Sequence, residues 1–96
     1  MERKIITDYL IGRYIRQNCE VKTDFIRIKN AQIEEIKKYA DLKVEPSHSG
    51  ANWLYWSNGE QIEDVYSEED GVINELDAIA YYIELLTHKA VLIENE

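Results

Sequence analysis

The sequence predicts one small α+β domain, spanning residues 1–96, in which helices cover one face of a mainly antiparallel sheet of three to five strands. Two strand-forming stretches, the first of them rich in aromatic residues, flank Asn58-Gly59, a dipeptide typical of two-residue hairpin turns. Helical periodicity recurs in three other segments, so the elements follow the order α-β-α-β-β-β-α, with a further strand at the end as an option. This order lacks the regular β-α-β alternation of a parallel fold, and 96 residues suffice for one modest core.

The first helix is predicted from Thr7, a good N-cap, to about Asn18. Residues 1–6 are expected to be extended before it. Leucine, isoleucine and tyrosine side chains recur at helical spacing in this segment. Gly12 disfavours a helix, and a strand over residues 9–15 is therefore the alternative.

The next segments alternate between strand and helix. Residues 19–29 are rich in β-branched side chains and carry a phenylalanine, which predicts a strand. Asn30 is the expected N-cap of a helix over residues 31–41. Residues 42–45 are predicted as a short strand that Pro46 ends, because proline has no backbone donor for the sheet.

A two-residue turn at 58–59 fixes the register of the hairpin formed by residues 52–57 and 60–66. The predicted opposite pairs are Ser57–Glu60, Trp56–Gln61, Tyr55–Ile62, Leu54–Glu63 and Trp53–Asp64. One face then carries Trp53, Tyr55 and Ile62, and the other carries Leu54, Trp56 and Val65. Only one face can enter a small core, so Trp53 or Trp56 is expected near the surface, either covered by another element or anchoring a partner.

The last helix is predicted over residues 68–88, with Ser67 as N-cap or, alternatively, with Asp70 as the cap before Gly71. Its apolar stripe comprises Val72, Leu76, Ile79, Ala80, Ile83 and Leu86, broadened by Ile73 and Tyr82. Residues 90–93 form a short apolar run. The run is predicted either as a final edge strand, or as a segment docked under the hairpin, or as an exposed tail that contacts a second copy.

Charge is distributed unevenly along the chain, whose formal net charge is −8. Residues 1–43 hold ten Lys or Arg and seven Asp or Glu, whereas residues 44–88 hold ten acids and no base. Such a stretch disfavours direct nucleic-acid binding, which needs Lys and Arg, and favours a basic protein partner. The alternative is that solvated carboxylates only keep the protein soluble.

The sequence carries no recognisable motif for catalysis, a cofactor or a metal. No glycine-rich phosphate loop is present, and Cys19, His48 and His88 show neither a nucleophile motif nor metal-ligand spacing. We therefore expect no enzyme activity, no cofactor and no metal. The sequence has no apolar run long enough for a membrane span and no secretory signal, and it has a single cysteine, which together predict a cytoplasmic protein that binds no membrane.

These observations predict a small acidic, non-catalytic protein-binding module. It would dock its acidic surface on a basic, nucleic-acid-binding site of a larger protein, as a phage or mobile-element inhibitor would dock on a host nuclease. The candidate partner-binding residues are Glu60, Glu63, Asp64, Glu68, Glu69 and Asp70, with Trp56 and Tyr66 as apolar anchors. The alternative is an oligomerising structural or regulatory protein, such as an immunity protein or antitoxin, that forms a homodimer through the hairpin face or residues 90–93.

Overall fold

A computed structural model describes residues 2–66 and 74–94, and these residues confirm the α+β class. Their helices and strands are α1 (Arg3–Asn18), β1 (Glu20–Val21), β2 (Phe25–Lys29), α2 (Asn30–Tyr39), β3 (Leu42–Pro46), β4 (Asn52–Ser57), β5 (Glu60–Tyr66), α3 (Glu75–Thr87) and β6 (Ala90–Glu94). None of the described helices is both long enough and apolar enough to cross a bilayer.

The described strands divide into two three-stranded sheets, whereas the sequence predicted one sheet. The terminal sheet has the order β1-β2-β6, in which β1 is antiparallel and β6 parallel to β2. The hairpin sheet has the order β3-β4-β5 and is antiparallel throughout. A parallel pair needs a long crossover, and the chain between β2 and β6 accordingly contains α2, the hairpin sheet and α3.

Helix α1 begins at Arg3, so the predicted extended lead-in over residues 1–6 is wrong for the described residues from Arg3 onward. An ion pair between Lys4 Nζ and Asp8 Oδ2, 2.7 Å apart at i,i+4 spacing, stabilises this first turn. Thr7 is not an N-cap but a fully buried residue inside the helix. Ile11 and Ile15 face the core at helical spacing, and the alternative strand is therefore excluded.

Residues 19–29 form two strands, β1 and β2, and not the single strand predicted. The backbone N–H of Lys22 donates to the carbonyl of Phe25 (2.8 Å) and closes a turn over residues 22–25. Lys, Thr and Asp occupy its first three positions, and the polar Thr-Asp pair at its centre suits a turn better than a strand interior. β1 and β2 therefore pair as a short antiparallel hairpin.

Helix α2 starts one residue earlier than predicted, and Asn30 is its first residue and not its cap. The Gln32 side chain fixes this start, because its Oε1 accepts a hydrogen bond from the backbone N–H of Lys29 (2.9 Å). Its Nε2 donates to the carbonyl of Asn18 at the end of α1 (2.8 Å). One amide side chain therefore ties the start of α2 to the end of α1.

The Asn58-Gly59 turn is confirmed, with φ angles of 53° and 80°. The first two predicted pairs, Ser57–Glu60 and Trp56–Gln61, are observed. The predicted pairs Tyr55–Ile62, Leu54–Glu63 and Trp53–Asp64 are wrong, because Ile62 is an extra residue in a β-bulge. The observed pairs are Tyr55–Glu63, Leu54–Asp64 and Trp53–Val65. The bulge lets Ile62 and Val65 both enter the core, so Val65 lies on the face opposite to the one predicted.

Helix α3 begins at Glu75, and the earlier part of the predicted helix, residues 68–73, lies outside the described residues. Asn74 is its N-cap, and its side chain accepts a hydrogen bond from the backbone N–H of Asp77 (2.9 Å). The predicted cap Ser67, the alternative cap Asp70 and the apolar residues Val72 and Ile73 lie outside the described residues. Of the three alternatives for residues 90–93, the final edge strand is the one observed, and β6 extends it to Glu94.

The described apolar side chains form one core to which every helix contributes. Helix α1 contacts β1 in the terminal sheet and β4 and β5 in the hairpin sheet. Helix α2 contacts β2 and β3, and α3 contacts β6 and β3. The two sheets are therefore joined through the helices that pack on their inner faces.

Candidate protein-binding face

The hairpin sheet has an inner face, which packs on the helices, and an outer face. The inner face supplies Leu42, Val44, Tyr55, Ile62 and Val65 to the core. The Tyr55 hydroxyl donates to the carbonyl of Ala78 in α3 (2.8 Å). Since paired residues share a face, the register places Lys43, Glu45, Asn52, Leu54, Trp56, Gln61, Asp64 and Tyr66 on the outer face.

The outer face combines aromatic and aliphatic side chains with carboxylates. Trp56 and Leu54 occupy the central strand and remain partly exposed, and Tyr66 on β5 is 59% exposed. Trp53 and Trp56 are both partly buried, but Trp53 lies on the inner face and packs against the core, whereas Trp56 lies on the outer face. Among the predicted partner-binding residues, Trp56, Asp64 and Tyr66 share this face.

Glu45 and Asp64 flank Leu54 in one cross-strand row of the outer face. The Asp64 carboxylate accepts a hydrogen bond from Asn52 Nδ2 (3.4 Å). Asp41 contributes a further carboxylate at the border of this face. It lines a shallow depression of about 370 Å³ together with Lys43, Glu45, Trp56 and Gly59. Among the described strands, only Lys43 places a basic side chain on the outer face, so the local charge of this face is negative.

Glu60 and Glu63 belong to the inner side of β5, at its edge beside the start of α1. Lys4 Nζ lies 3.7 Å from Glu63 Oε2, and Glu60 lines a surface depression with Arg3 and Lys4. Lys37 of α2 likewise pairs with Glu75 of α3. Basic side chains from the first half of the chain are therefore placed between the acids of the second half, and the described acids do not form one uninterrupted surface.

Three predicted partner-binding residues, Glu68, Glu69 and Asp70, lie outside the described residues. Glu45, Leu54 and Lys43 were not predicted as part of a binding face. Their place on it follows from the pairing of β3 with β4, which sets Glu45 opposite Leu54 and Lys43 opposite Trp56. An alternation of polar and apolar residues in β3 was the available signal, since Lys43 and Glu45 alternate with the buried Leu42 and Val44.

Lys4 also belongs to a polar cluster between α1 and α3. The Tyr82 hydroxyl donates to Asp8 Oδ1 (2.5 Å), and Lys4 Nζ contacts the Tyr82 hydroxyl oxygen (3.5 Å). Burial lowers the pKa of Lys4, but Asp8 and Glu63 outweigh burial and raise the pKa above its ordinary 10.5. Burial, followed by the bond to Asp8, raises the pKa of Tyr82 above 10.0. The cluster therefore holds a charged lysine and a neutral tyrosine at neutral pH.

The free energy of unfolding is expected to fall steeply above about pH 9. Burial is the main cause that raises the pKa of Cys19 to about 11 and of Tyr14 to about 12, and it also raises the pKa of Tyr55 and Tyr82. Each group binds its proton more tightly in the folded state than in the unfolded state. Its contribution to the stability of the fold is therefore fully present below its ordinary pKa and is lost as the pH rises through its pKa in the folded state. Urea unfolding between about pH 8 and pH 12 measures this fall, and Tyr82→Phe should make it shallower. Constant stability across this range would contradict the burial of these groups.

Cys19 and the two histidines are not brought into one site. Burial and Glu35 raise the pKa of Cys19, so the thiol is protonated at neutral pH and is a poor nucleophile. His48 lies in the exposed loop after β3, and His88 follows the end of α3. Within residues 2–66 and 74–94, no three His, Cys, Asp or Glu side chains gather in a way that would hold a metal ion.

Comparisons with known proteins identified no protein similar to this chain. No protein-family model matches the chain, and searches of curated proteins and of solved structures gave no significant match.

Proposed function

We propose that this protein is a non-catalytic binding module that docks the outer face of its hairpin sheet on a basic surface of a larger protein. The observation that supports it most is the composition of that face, where Trp56, Leu54 and Tyr66 lie beside the carboxylates of Glu45 and Asp64. The described core lies on the opposite side of the sheet, so these side chains are not needed to close it.

Aromatic and charged side chains would have separate roles in this docking. Tyr and Trp contribute large contact areas at little cost in conformational entropy, and they are enriched at binding hot spots. Carboxylates around them attract a basic partner and orient it, an effect that salt weakens over a Debye length of about 8 Å at physiological ionic strength. The net charge of −8 extends this attraction beyond the contact itself.

The partner class that fits is a protein whose basic surface normally holds nucleic acid. Such a surface presents Lys and Arg to phosphates, and carboxylates of Glu45, Asp64 and Asp41 would take the place of phosphates. Occupation of that surface would exclude nucleic acid, so the proposed outcome is inhibition, as with a phage or mobile-element antagonist of a host nuclease. Glu60 and Glu63 contribute less in this proposal, because Arg3 and Lys4 lie beside them.

Charge reversal on the outer face tests the proposal. The double variant Glu45→Lys with Asp64→Lys is compared with Glu34→Lys with Glu84→Lys, which changes the net charge equally at exposed positions on α2 and α3. Protein captured from the native cell by the wild-type chain should be eluted by salt and released by added nucleic acid. We expect the outer-face variant to bind that protein at least about tenfold more weakly and the helix variant to bind it like the wild type. Equal retention by the two double variants, or binding that salt does not weaken, would contradict the proposal.

A further inference from the structure

The edge strands of the two sheets differ in how well they are protected against pairing with another strand. β1 has only two residues, and β3 carries Lys43, Glu45 and Pro46. β5 is rich in carboxylates and contains the bulge at Ile62. Short length, charge, proline and bulges are the devices that prevent edge-to-edge pairing. β6 has the sequence Ala-Val-Leu-Ile-Glu, and among the described edge strands it has none of these devices before its last residue.

The backbone of β6 shows which groups are available for a further strand. Its first amide, that of Ala90, donates to the carbonyl of Asp24 (3.1 Å), at the start of the parallel pairing with β2. Because backbone groups alternate in direction along a strand, Ala90, Leu92 and Glu94 turn their N–H and C=O towards β2. Val91 and Ile93 therefore turn theirs away from β2, towards the open edge.

We propose that β6 pairs with β6 of a second copy of this chain, antiparallel and about a two-fold axis at Leu92. This register sets Val91 opposite Ile93 of the second copy and Ile93 opposite its Val91. Those are the residues whose N–H and C=O point outward, so both pairs exchange their hydrogen bonds. The two terminal sheets then become one continuous six-stranded sheet.

In this register, the side chains of β6 in one copy are complementary to those of β6 in the other. Leu92, which is 45% exposed, meets Leu92 of the second copy at a non-hydrogen-bonded pair, where side chains approach most closely. Val91 and Ile93 are partly buried against the core and extend the apolar layer across the axis. Glu94 faces Ala90 of the second copy, so no like charges are opposed. This self-matching about a two-fold axis favours a second copy over an unrelated peptide.

The length of β6 sets the strength of the association. A stable specific interface buries about 1,200–2,000 Å² of surface, and pairing through a five-residue strand buries less. The dimer should therefore be weak and dependent on concentration. The strand lies in the terminal sheet, whereas the proposed docking face lies on the hairpin sheet. Self-association therefore goes beyond the proposed function, and either proposal can fail without the other.

Sedimentation velocity from about 1 µM to about 1 mM, with amide hydrogen exchange at both ends of the range, tests the pairing. We expect a monomer–dimer equilibrium in which the amides of Val91 and Ile93 become protected with concentration while that of Leu92 does not change. Leu92→Lys should weaken the dimer about tenfold or more, because it opposes two lysines at the axis. The control Val21→Lys, at a 42% exposed position on the opposite edge of the same sheet, should not weaken it. A monomer at every concentration, or equal effects of the two substitutions, would overturn the proposal.

Discussion

Replacement of Tyr55 by alanine is expected to lower the free energy of unfolding by about 3–5 kcal/mol, the usual range for a large aromatic side chain deleted from a core. Tyr55 is fully buried, and its ring centre lies 4.8 Å from that of Tyr82. Its hydroxyl donates to the carbonyl of Ala78. Because this side chain joins the hairpin sheet to α3, its deletion removes ring packing and a buried hydrogen bond together. Urea or thermal unfolding followed by circular dichroism measures the loss.

Tyr55→Phe separates the two contributions. The ring stays, and only the bond to the Ala78 carbonyl is lost, so we expect a cost of about 0.5–1.5 kcal/mol. The larger loss in Tyr55→Ala therefore measures the packing of the ring. If Tyr55→Ala were as stable as Tyr55→Phe, the hairpin sheet would not pack on α3 through this residue, and the assignment of inner and outer faces would be wrong.

Replacement of Tyr66 by alanine is expected to cost about 2 kcal/mol or more in partner binding, which corresponds to a loss of roughly thirtyfold in affinity. Tyr66 is 59% exposed on the outer face, so its ring is available to a partner and adds little to the core. The stability of the variant should therefore stay within about 0.5 kcal/mol of the wild type. Isothermal titration with the captured partner and urea unfolding measure the two effects.

Tyr9→Ala is the matched control, because Tyr9 is also 59% exposed but lies on α1. We expect it to leave partner binding unchanged. A loss of affinity in Tyr9→Ala equal to that in Tyr66→Ala would show that exposed aromatic side chains contribute without regard to position. Such a result would remove the reason for assigning docking to the outer face.

Features with a strong local signal could be predicted from the sequence. The Asn58-Gly59 turn was correctly located because positive φ angles restrict the choice of residues there. The buried positions Ile79, Ala80 and Ile83 were also predicted, because the helical periodicity of the last helix leaves a distinct apolar stripe. The α+β class follows from these local elements and their order.

Features that depend on contacts distant in sequence could not be predicted. The bulge at Ile62 brings both Ile62 and Val65 into the core, and nothing in β5 alone marks the extra residue. The pairing of β6 with β2, which divides the strands into two sheets, joins residues more than sixty positions apart. The start of α1 was mistaken because Thr7 resembles a cap, although tertiary packing buries it inside the helix.

The candidate site was predicted only in part, for the same reasons. Trp56, Asp64 and Tyr66 share one face because the bulge shifts the register of β5, whereas the predicted register set Asp64 with Trp53. The sequence also suggested that acids of the second half would lie apart from the bases of the first. Folding places Lys4 beside Glu63 instead, a contact that no local pattern in either segment encodes.

The most direct test of docking through the outer face is a titration of ¹⁵N-labelled protein with an arginine-rich peptide, followed by amide and indole chemical shifts. We predict saturable shifts that concentrate on Glu45, Leu54, Asp64, Tyr66 and the Trp56 indole, and that weaken as salt is added. Shifts spread evenly over exposed acids of the helices, such as Glu34 and Glu84, or shifts that do not saturate, would contradict the account.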